Sequence, residues 1–477
     1  MKHQDDYRID FKNPCHAHFI GIGGTSMSGL ALLLLEEGFT VTGSDTVPSE
    51  YCDKLMAHGI PVYPVHSEEN MVNNPDIAFV VYTAAIFDDN PEYTYALAHG
   101  IPTLSRAQFL GQLMDNYPNS VAVAGTHGKT TTTAMMSHIL MKAGKDPSIT
   151  IGGTLDLIGG NVRIGHSDYF VAEACEYTNS YHEMNPLVSI ILNIDADHLD
   201  FFHTFDNIVK SFGEFGRKTK TGGTLVVNGD MPYVADMRNA VKDMDINFVT
   251  FGLGEANDYR AVNVRLDSAV HPTYTLVRKG EELGDIVLSV VGEHHVMNSL
   301  SAVAAADSLG IDLADTKEGL RSCPSAKRRF EYKGTTKNGV SIIDDYGHHP
   351  LECEVTIRAA REVLEHRAPE ERGELWVAFQ SHTHSRTKDH LDEFAAALAL
   401  ADHSLVADIR DDREADDGTV SAADIVERVK RMGSDSQYLR DFPTIEKYVT
   451  EHCKNNDLLI TLGSGPIHIV GEHLLSE

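Results

Sequence analysis

The sequence predicts an α/β protein of three domains, with Rossmann-like domains at its two ends and a P-loop-type α/β domain between them. A chain of 477 residues has room for about three domains of ordinary size. Short apolar runs typical of buried strands alternate with helix-like segments, which indicates parallel sheets. A hydrophobic content of 42% with 8% aromatics describes packed cores and argues against a disordered chain. We place the domains at 1–116, 117–325 and 326–477.

Charge and cysteine usage restrict the partners and the compartment. A formal net charge of −30 argues against nonspecific binding to nucleic acid or to anionic membranes, although a local basic cluster can still bind a small anion. The six cysteines include no CxxC pair, so they indicate reduced thiols rather than a zinc or redox motif. The N-terminus MKHQDDYRID lacks the apolar core of a signal peptide, and no apolar run approaches about 18 residues. We expect a soluble cytoplasmic protein that binds neither membrane nor nucleic acid.

The N-terminal domain begins with a glycine turn between a strand and a helix. The apolar run His18–Gly23 predicts the strand, and a second strand ends at Ser44 and Asp45. An acidic residue about 20 positions beyond the glycines is typical of dinucleotide-binding folds. Ser26, however, stands where the last glycine of that pattern belongs, so a ligand-binding turn and a tight turn without ligand both remain open. The glycines of this turn are Gly21, Gly23 and Gly24.

The stretch 121–133, VAVAGTHGKTTTT, indicates a phosphate-binding loop. A β-branched apolar run stops at Gly125, and a helix-like segment from Thr131 to Lys142 follows the turn. A glycine turn at a helix start directs backbone N–H groups toward a phosphate at the positive end of the helix dipole. Lys129 would contact the β- and γ-phosphates, and the Thr130 hydroxyl would complete a Mg²⁺ shell. Val123 replaces the first glycine of the full pattern, so we predict a shortened P-loop that binds a nucleoside triphosphate. The predicted contacts are Gly125, Thr126, His127, Gly128, Lys129, Thr130 and Thr131.

Two residues at strand ends are candidates for a cation site. Glu173 ends the apolar run 169–173, and His198 lies in the segment IDADHLD that follows another strand. The carboxyl ends of parallel strands line the edge of the sheet where open α/β folds bind their ligands. A hard oxygen ligand such as Glu173 suits Mg²⁺, and His198 is the candidate for a second position.

Three further stretches carry candidate residues. Asn298 stands before an alanine-rich helix predicted from Ser299, where it either caps the helix or contacts a base edge. The basic cluster 325–331 offers Arg329 as a phosphate partner, although such clusters usually face solvent. The strand 339–344 ends in DDYGHHP, and two acids with two histidines at a proline turn are seldom structural filler.

Taken together, these stretches resemble the Mur ligases, the ATP-dependent amide-forming enzymes of peptidoglycan synthesis. The resemblance covers positions 18 to 467 in the family's order, and it is stronger for the branch that adds alanine than for the branches that add later residues. IDADHLD, KRRFE and DDYGHHP together are far more specific than any single glycine loop. The matching segments are HFIGIGGTSMSGLA, GTHGKTTT, VAEACEY, LNIDADHLD, SAKRRFE, IIDDYGHHP, FQSHTHSRT and TLGSGPI.

The resemblance implies a UDP-sugar domain, a central ATPase domain and a third domain that closes over the site. It implies that L-alanine is joined to the lactyl carboxylate of UDP-N-acetylmuramate through an acyl phosphate, with ATP and Mg²⁺. The implied UDP-sugar contacts are Gly21, Gly23, Gly24, Ser44 and Asp45. The implied nucleotide and metal residues are Lys129, Thr130, Glu173 and His198, with Asn298 at the adenine and Arg329 and Asp345 completing the site. The implied neighbours of the amino acid are His348, His382 and Arg386.

Departures from the family pattern keep other functions in view. His295, His384 and Pro466 replace an asparagine, a tyrosine and an aspartate, the last two toward the expected amino-acid end. A ligase that attaches a preformed peptide to the same UDP-sugar would share every nucleotide motif. A nucleotide-binding regulatory protein without ligase activity would also keep the loop, whereas a dehydrogenase fits less well because Ser26 breaks its fingerprint. The sequence leaves open whether the protein is a monomer or a homodimer.

Overall fold

The computed structural model describes residues 7–87, 89–267, 270–324, 327–410 and 418–476. The described chain forms three sheets of five, ten and six strands, which confirms the predicted α/β class. It divides into two compact units. The first comprises Met1–Val262, Leu276–Gly284 and Met297–Cys323, and the second comprises Asn263–Thr275, Asp285–Val296 and Pro324–Glu477.

The first sheet is a parallel Rossmann-like sheet. Its elements are β1 (His16–Ile20), α1 (Thr25–Glu36), β2 (Thr40–Ser44), α2 (Glu50–Ala57), β3 (Val62–Tyr63), α3 (Glu68–Val72), β4 (Ile77–Tyr82), α4 (Pro91–His99), β5 (Thr103–Ser105) and α5 (Arg106–Asp115). The strand order is β3-β2-β1-β4-β5, and every pair is parallel. The order reverses between β1 and β4, which is where open α/β sheets bind their ligands.

The second sheet places the predicted phosphate loop at its centre. Its elements are β6 (Asn119–Ala124), α6 (Lys129–Lys142), β7 (Ser148–Leu155), β8 (Gly160–Arg163), β9 (Tyr169–Glu173), β10 (Val188–Ile191), α7 (Leu199–Phe202), α8 (Phe205–Gly216), β11 (Thr224–Asn228), α9 (Val234–Ala240), β12 (Asn247–Gly252), β13 (Tyr259–Leu266), β14 (Pro272–Arg278), β15 (Glu281–Val287), α10 (His295–Ser308) and α11 (Leu313–Arg321). The strand order is β15-β14-β13-β12-β11-β10-β6-β9-β7-β8. Strand β6 is parallel to both of its neighbours, so their carboxyl ends meet around the loop that follows it.

The third sheet lies wholly within the second unit. Its elements are β16 (Glu331–Thr335), β17 (Ser341–Asp345), α12 (Pro350–His366), β18 (Leu375–Phe379), α13 (His384–Asp389), α14 (Leu391–Leu398), β19 (His403–Val406), α15 (Ala422–Arg431), β20 (Asp435–Tyr438), α16 (Phe442–His452), β21 (Leu458–Leu462) and α17 (His468–Ser476). The strand order is β16-β17-β21-β18-β19-β20, and β16 alone among the described strands of this sheet is antiparallel to its neighbour.

Within the first unit, two glycines bring the first sheet's helices against the second sheet's elements. A Cβ at Gly29 in α1 would lie 2.0 Å from a methyl of Val162 in β8. A Cβ at Gly111 in α5 would lie 2.0 Å from the carbonyl oxygen of Glu183, at the end of the short 3₁₀ segment after β9. Backbone and side chains therefore touch where any larger residue would force them apart.

Two predicted helix starts need correction. Helix α6 begins at Lys129, two positions before the predicted start at Thr131, because Gly128 takes the left-handed conformation that ends the loop. Helix α10 begins at His295 rather than Ser299, so Asn298 lies inside the first turn and is not the cap.

None of the six cysteines, all of which the structure describes, is in a disulfide. Across the described ranges, no helix combines the length and the apolar character needed to cross a membrane.

Candidate functional site

The glycine turn after β1 is held by the residues that end β2. The backbone N–H groups of Gly21 and Ile22 donate to the carbonyl oxygen of Ser44 over 2.8 and 3.0 Å. The N–H of Gly23 donates to the Asp45 carboxylate over 2.8 Å, and that carboxylate also accepts from the N–H of Val47. The turn therefore uses its own amides to fix its shape. The amides that an α-helix leaves unpaired within itself lie one step further on, in the first turn of α1.

Ser44 is fully buried, so it supports the turn from beneath. Its hydroxyl donates to the carboxylate of Glu92 over 2.5 Å, and the Nδ1 atom of His66 lies 2.8 Å from the same hydroxyl. Glu92 has no exposed surface, and its other oxygen accepts from the amide of Asn70 over 2.6 Å and lies 3.4 Å from His18. Burial alone would raise the pKa of Glu92, but His18 and the two neutral donors lower it below its usual value. A buried, ionised carboxylate therefore anchors the end of β2.

Arg106 is a residue near this turn that the sequence reasoning missed. It is the first residue of α5, and its guanidinium donates to the hydroxyl of Ser26, in the first turn of α1, over 3.3 Å. The side-chain amide of Asn161 donates to the carbonyl oxygen of Thr25 over 3.1 Å. A cation beside a helix N-terminus is suited to an anionic group. A lone arginine 80 residues from Ser26 gives no motif that would have identified it.

The phosphate loop is held in shape by the segment after β10. The N–H of His127 donates to the side-chain oxygen of Asn193 over 2.8 Å, and the Asn193 amide donates back to the carbonyl of His127 over 2.9 Å. The hydroxyl of Thr126 accepts from the N–H of Asp195 over 2.9 Å, and the Asp195 carboxylate lies 3.5 Å from the His127 ring. Because these bonds join two strand ends, the loop keeps its form through contacts outside itself.

Lys129 lies folded back over its own loop. Its ammonium donates to the carbonyl oxygens of Gly125 and Thr126 over 2.6 and 3.0 Å, and it lies 2.9 Å from the carboxylate of Glu176. Burial alone would lower the pKa of Lys129, but the charge of Glu176 beside it raises the pKa above its usual value. The side chain is therefore charged, and Glu176 is a second functional candidate that the sequence reasoning did not single out.

Thr130 and Glu173, two of the predicted metal-site residues, lie in contact beside the phosphate loop. The Thr130 hydroxyl donates to the Glu173 carboxylate over 3.0 Å, and the N–H of Gly152 donates to the same oxygen over 2.8 Å. A Cβ at Gly152 would lie 3.0 Å from both carboxylate oxygens, so the glycine leaves room for the carboxylate. A hydroxyl and one carboxylate at a phosphate loop fit Mg²⁺, which usually shares its shell between protein oxygens and the phosphates of its substrate. Among the described residues no group of three or more His, Cys, Asp or Glu side chains is placed to hold a metal ion.

His198, the second candidate cation ligand, has a strained backbone conformation. It has a φ of 53° at the start of α7, and its ring lies 4.7 Å from the ring of Tyr177 and 3.7 Å from the Asp197 carboxylate. Thr178 and Asn179, next to Tyr177, also have positive φ angles of 55° and 57°. Left-handed backbone at residues other than glycine is held only where the surroundings require it, and such strain is common at functional sites.

Asn298 lies beside the phosphate loop. It is buried in the first turn of α10, and a Cβ at Gly128 would lie 2.5 Å from its side-chain oxygen. Gly128 also has a φ of 84°, a conformation that side chains disfavour. The predicted adenine residue is thus next to the glycine that ends the loop, although the sequence separates them widely.

In the second unit, Arg328 makes the ion pair with the strand that ends in two acids. Its guanidinium donates to Asp344 over 2.9 Å and to the carbonyl oxygen of Gly463 over 2.6 Å. The predicted Arg329 instead places its guanidinium 5.4 Å from the ring of Tyr346. Asp345 accepts from the N–H groups of Phe330 and Gly347, each over 2.7 Å. Burial raises the pKa of Asp345 to about 6, against the opposing effect of the Arg329 charge.

The predicted amino-acid residues lie around the ends of β17 and β18. The rings of His348 and His382 are 6.2 Å apart, and the Nδ1 atom of His348 lies 3.4 Å from Glu352. Arg386 lies in the short helix α13, where its backbone N–H donates to the hydroxyl of Thr383 over 3.4 Å. The structure therefore brings the two histidines together.

Three family models match consecutive parts of the chain. The model of the Mur ligase family, catalytic domain, matches residues 16–118, and that of the Mur ligase middle domain matches residues 123–306. The model of the Mur ligase, glutamate ligase domain, matches residues 328–465. Each match covers most or all of one of the three sheets described above.

Individual proteins match over nearly the whole chain. The UDP-N-acetylmuramate–L-alanine ligase of Lachnospira eligens is 48% identical over 470 residues, which are 98% of this chain and 100% of that protein. The crystal structure of UDP-N-acetylmuramate-alanine ligase from Thermotoga maritima has a TM-score of 0.77 at 29% identity and covers 97% of this chain and 98% of its own. A murein peptide ligase from Psychrobacter arcticus has a TM-score of 0.67 at 25% identity, with coverage of 97% and 98%.

Proposed function

The chain belongs to the Mur ligase family, and from this we propose that it joins L-alanine to the lactyl carboxylate of UDP-N-acetylmuramate, with conversion of ATP to ADP and phosphate. The observation that carries the proposal is the phosphate loop: Asn193 accepts from the N–H of His127, the charged Lys129 pairs with Glu176, and Thr130 donates to Glu173. We place this step of peptidoglycan synthesis in the cytoplasm.

The first chemical step activates a poor electrophile. A carboxylate oxygen of the sugar attacks the γ-phosphorus of ATP, the bond to the β-phosphate oxygen breaks, and an acyl phosphate and ADP result. Both reacting groups are anionic, so the charge of Lys129 stabilises the transition state. Thr130 and Glu173 would hold Mg²⁺, with His198 as the candidate for a second position, and the ion would neutralise developing phosphate charge. Arg329 and Asp345 would complete the nucleotide site, and Asn298 would contact the adenine.

The second step forms the amide. The neutral amine of L-alanine attacks the acyl carbon, a tetrahedral oxyanion forms, and inorganic phosphate leaves. The attacking nitrogen must lose a proton, and His348 or His382 is the candidate base. Arg386 would hold the carboxylate of the amino acid through paired hydrogen bonds.

The UDP-sugar would lie on the first sheet. We assign the turn of Gly21, Gly23 and Gly24 to its diphosphate end, with Ser44 and Asp45 holding that turn from the end of β2. Arg106 and the first turn of α1 would supply positive charge to the same diphosphate.

Phosphate release from ATP tests the proposal directly. Release should require both UDP-N-acetylmuramate and an amino acid, with L-alanine preferred over glycine and L-serine. A preference for a tripeptide would instead assign the chain to the peptide-attaching ligases, which include the Psychrobacter arcticus protein. A folded protein that binds ATP and releases no phosphate with any acceptor would favour a regulatory role.

A further inference from the structure

The ammonium group of Lys129 has no donor left for a phosphate. A lysine ammonium carries three N–H donors. In this structure they meet three acceptors, the carbonyl oxygens of Gly125 and Thr126 and the carboxylate of Glu176. A nucleotide phosphate can reach this ammonium only if at least one of these partners gives way.

Glu176 is the partner whose charge matches that of a phosphate. Its side chain is 4% exposed, and among the residues that the structure describes its carboxylate pairs with Lys129. The backbone at Glu176 is fixed, since its carbonyl oxygen accepts from the N–H of Asn179 over 2.9 Å. The carboxylate and an incoming phosphate therefore compete for the same cation at the same place.

We propose that Glu176 is a positioning residue that holds Lys129 over the nucleotide-free loop. During each turnover Lys129 leaves Glu176, pairs with the nucleotide phosphate and then returns. The proposal rests on the proposed function, because it takes ATP as the ligand of this loop. When the phosphates bind, Lys129 leaves Glu176, and a buried carboxylate loses its counter-charge. Nucleotide affinity is lowered by that loss.

The exchange serves product release. After phosphoryl transfer the ADP left in the loop still attracts Lys129, and tight retention of ADP would slow the next cycle. Recapture of Lys129 by Glu176 restores the ion pair and weakens the hold on ADP. Glu176 thus favours the nucleotide-free loop, because it competes with the ADP phosphates for Lys129.

A purely structural role for Glu176 predicts the opposite effect on binding. If Glu176 only keeps the loop folded, its neutralisation should loosen the loop and weaken nucleotide binding. If Glu176 competes with the phosphate, neutralisation should strengthen nucleotide binding. The sign of the change therefore separates the two roles.

The experiment measures ADP affinity of the full-length chain by calorimetry, with EDTA present so that no metal bridges the phosphates. We expect Glu176→Gln to bind ADP about tenfold more tightly than the natural sequence, a change of roughly 1.4 kcal/mol. Glu176→Asp, whose shorter side chain places its carboxylate further from Lys129, should have an ADP affinity between that of Glu176→Gln and that of the natural sequence. In a Lys129→Ala background the gain from Glu176→Gln should disappear, because the two residues act as a pair.

The control is Asp258→Asn. Asp258 accepts from the backbone of Thr250 in β12, and two strands separate β12 from β6. This variant should leave ADP affinity unchanged. Equal or weaker ADP binding by both Glu176 variants would overturn the exchange. If the unaltered chain binds UDP-N-acetylmuramate but no ADP, the nucleotide assignment fails and the exchange fails with it.

Discussion

The side-chain oxygen of Asn298 lies so close to Gly128 that a Cβ there would come within 2.5 Å of it. Gly128 ends the phosphate loop, and its φ of 84° adds a second reason for glycine at this position. The loop and the first turn of α10 are therefore in direct contact, and the lack of a side chain permits that contact.

Gly128→Ala should impair nucleotide binding beyond the effect of backbone strain. A left-handed alanine costs about 1–2 kcal/mol, and the added methyl must also displace Asn298 or the loop. We expect ADP affinity, measured by calorimetry, to fall at least about tenfold. Gly59→Ala is the matched control, since Gly59 has the same φ of 84° but nothing within 4 Å of the added Cβ. Equal effects of the two variants on ADP binding would show that the contact with Asn298 is unimportant.

Lys129→Ala should abolish turnover and leave the UDP-sugar site intact. The lost charge stabilises the transferring phosphoryl group, and losses of about 10³-fold in kcat are typical for such a group. The affinity for UDP-N-acetylmuramate should change little, because that ligand is assigned to the first sheet. Phosphate release and calorimetry measure the two quantities, and Lys142→Ala at the far end of α6 is the control. Joint loss of turnover and UDP-sugar binding would indicate misfolding instead.

The pH dependence of stability should report Asp345. The pKa of Asp345 is raised to about 6 in the folded protein, so folding favours its protonated form. The contribution of that protonated carboxyl group to the free energy of unfolding is complete below the unfolded pKa and is lost as the pH rises through about 6. Asp345→Asn cannot ionise and should not show this loss. From pH 4 to pH 7.5 the free energy of unfolding of the natural chain should fall, relative to that of the variant, by on the order of 2–3 kcal/mol, at about 1.36 kcal/mol per pKa unit.

Chemical denaturation at several pH values measures that difference, with Glu365→Gln on the exposed side of α12 as the control for loss of one negative charge. A difference between the natural chain and Asp345→Asn that does not change with pH would contradict the raised pKa.

Glu92→Gln should weaken UDP-sugar binding indirectly, through Ser44 and the glycine turn. The carboxylate holds the Ser44 hydroxyl, and the Ser44 carbonyl holds the glycine turn. In glutamine the oxygen can face only one of Ser44 and Asn70; an amide that faces Ser44 reverses that hydrogen bond, because the hydroxyl must then accept instead of donate. The change also removes the negative charge beside His18. We expect the affinity for UDP-N-acetylmuramate to fall about tenfold, whereas Glu50→Gln on the exposed start of α2 should have no effect. A lower melting temperature with unchanged affinity would mean that Glu92 serves folding alone.

Local signals in the sequence were enough for the elements that carry the chemistry. Glu173 ends a strand as expected, because continuous apolar runs and glycine turns depend on near neighbours. The family resemblance drawn from the motifs is confirmed by the comparisons. Strands β13 and β15, in contrast, were not predicted, since acidic and polar residues interrupt their pattern.

Relationships between distant residues could not be predicted in this way. Nothing near Glu92 in the sequence indicates that it lies beneath Ser44, 48 positions earlier. Arg328, rather than the neighbouring Arg329, forms the ion pair with Asp344, and no local rule distinguishes two adjacent arginines. Such choices are made by tertiary packing, which determines which side chain is buried and which partner it meets. The individual roles assigned to the site residues remain predictions.

The close contacts at Gly29 and Gly111 bear on how the two sheets of the first unit are spaced. Because α1 and α5 touch their neighbours with no space for a methyl, these contacts restrict how far the first sheet can shift relative to the second. If the UDP-sugar lies on the glycine turn, as we propose, a fixed spacing between that turn and the phosphate loop would favour sugar precursors of one length. An added methyl at either glycine would then alter that preference.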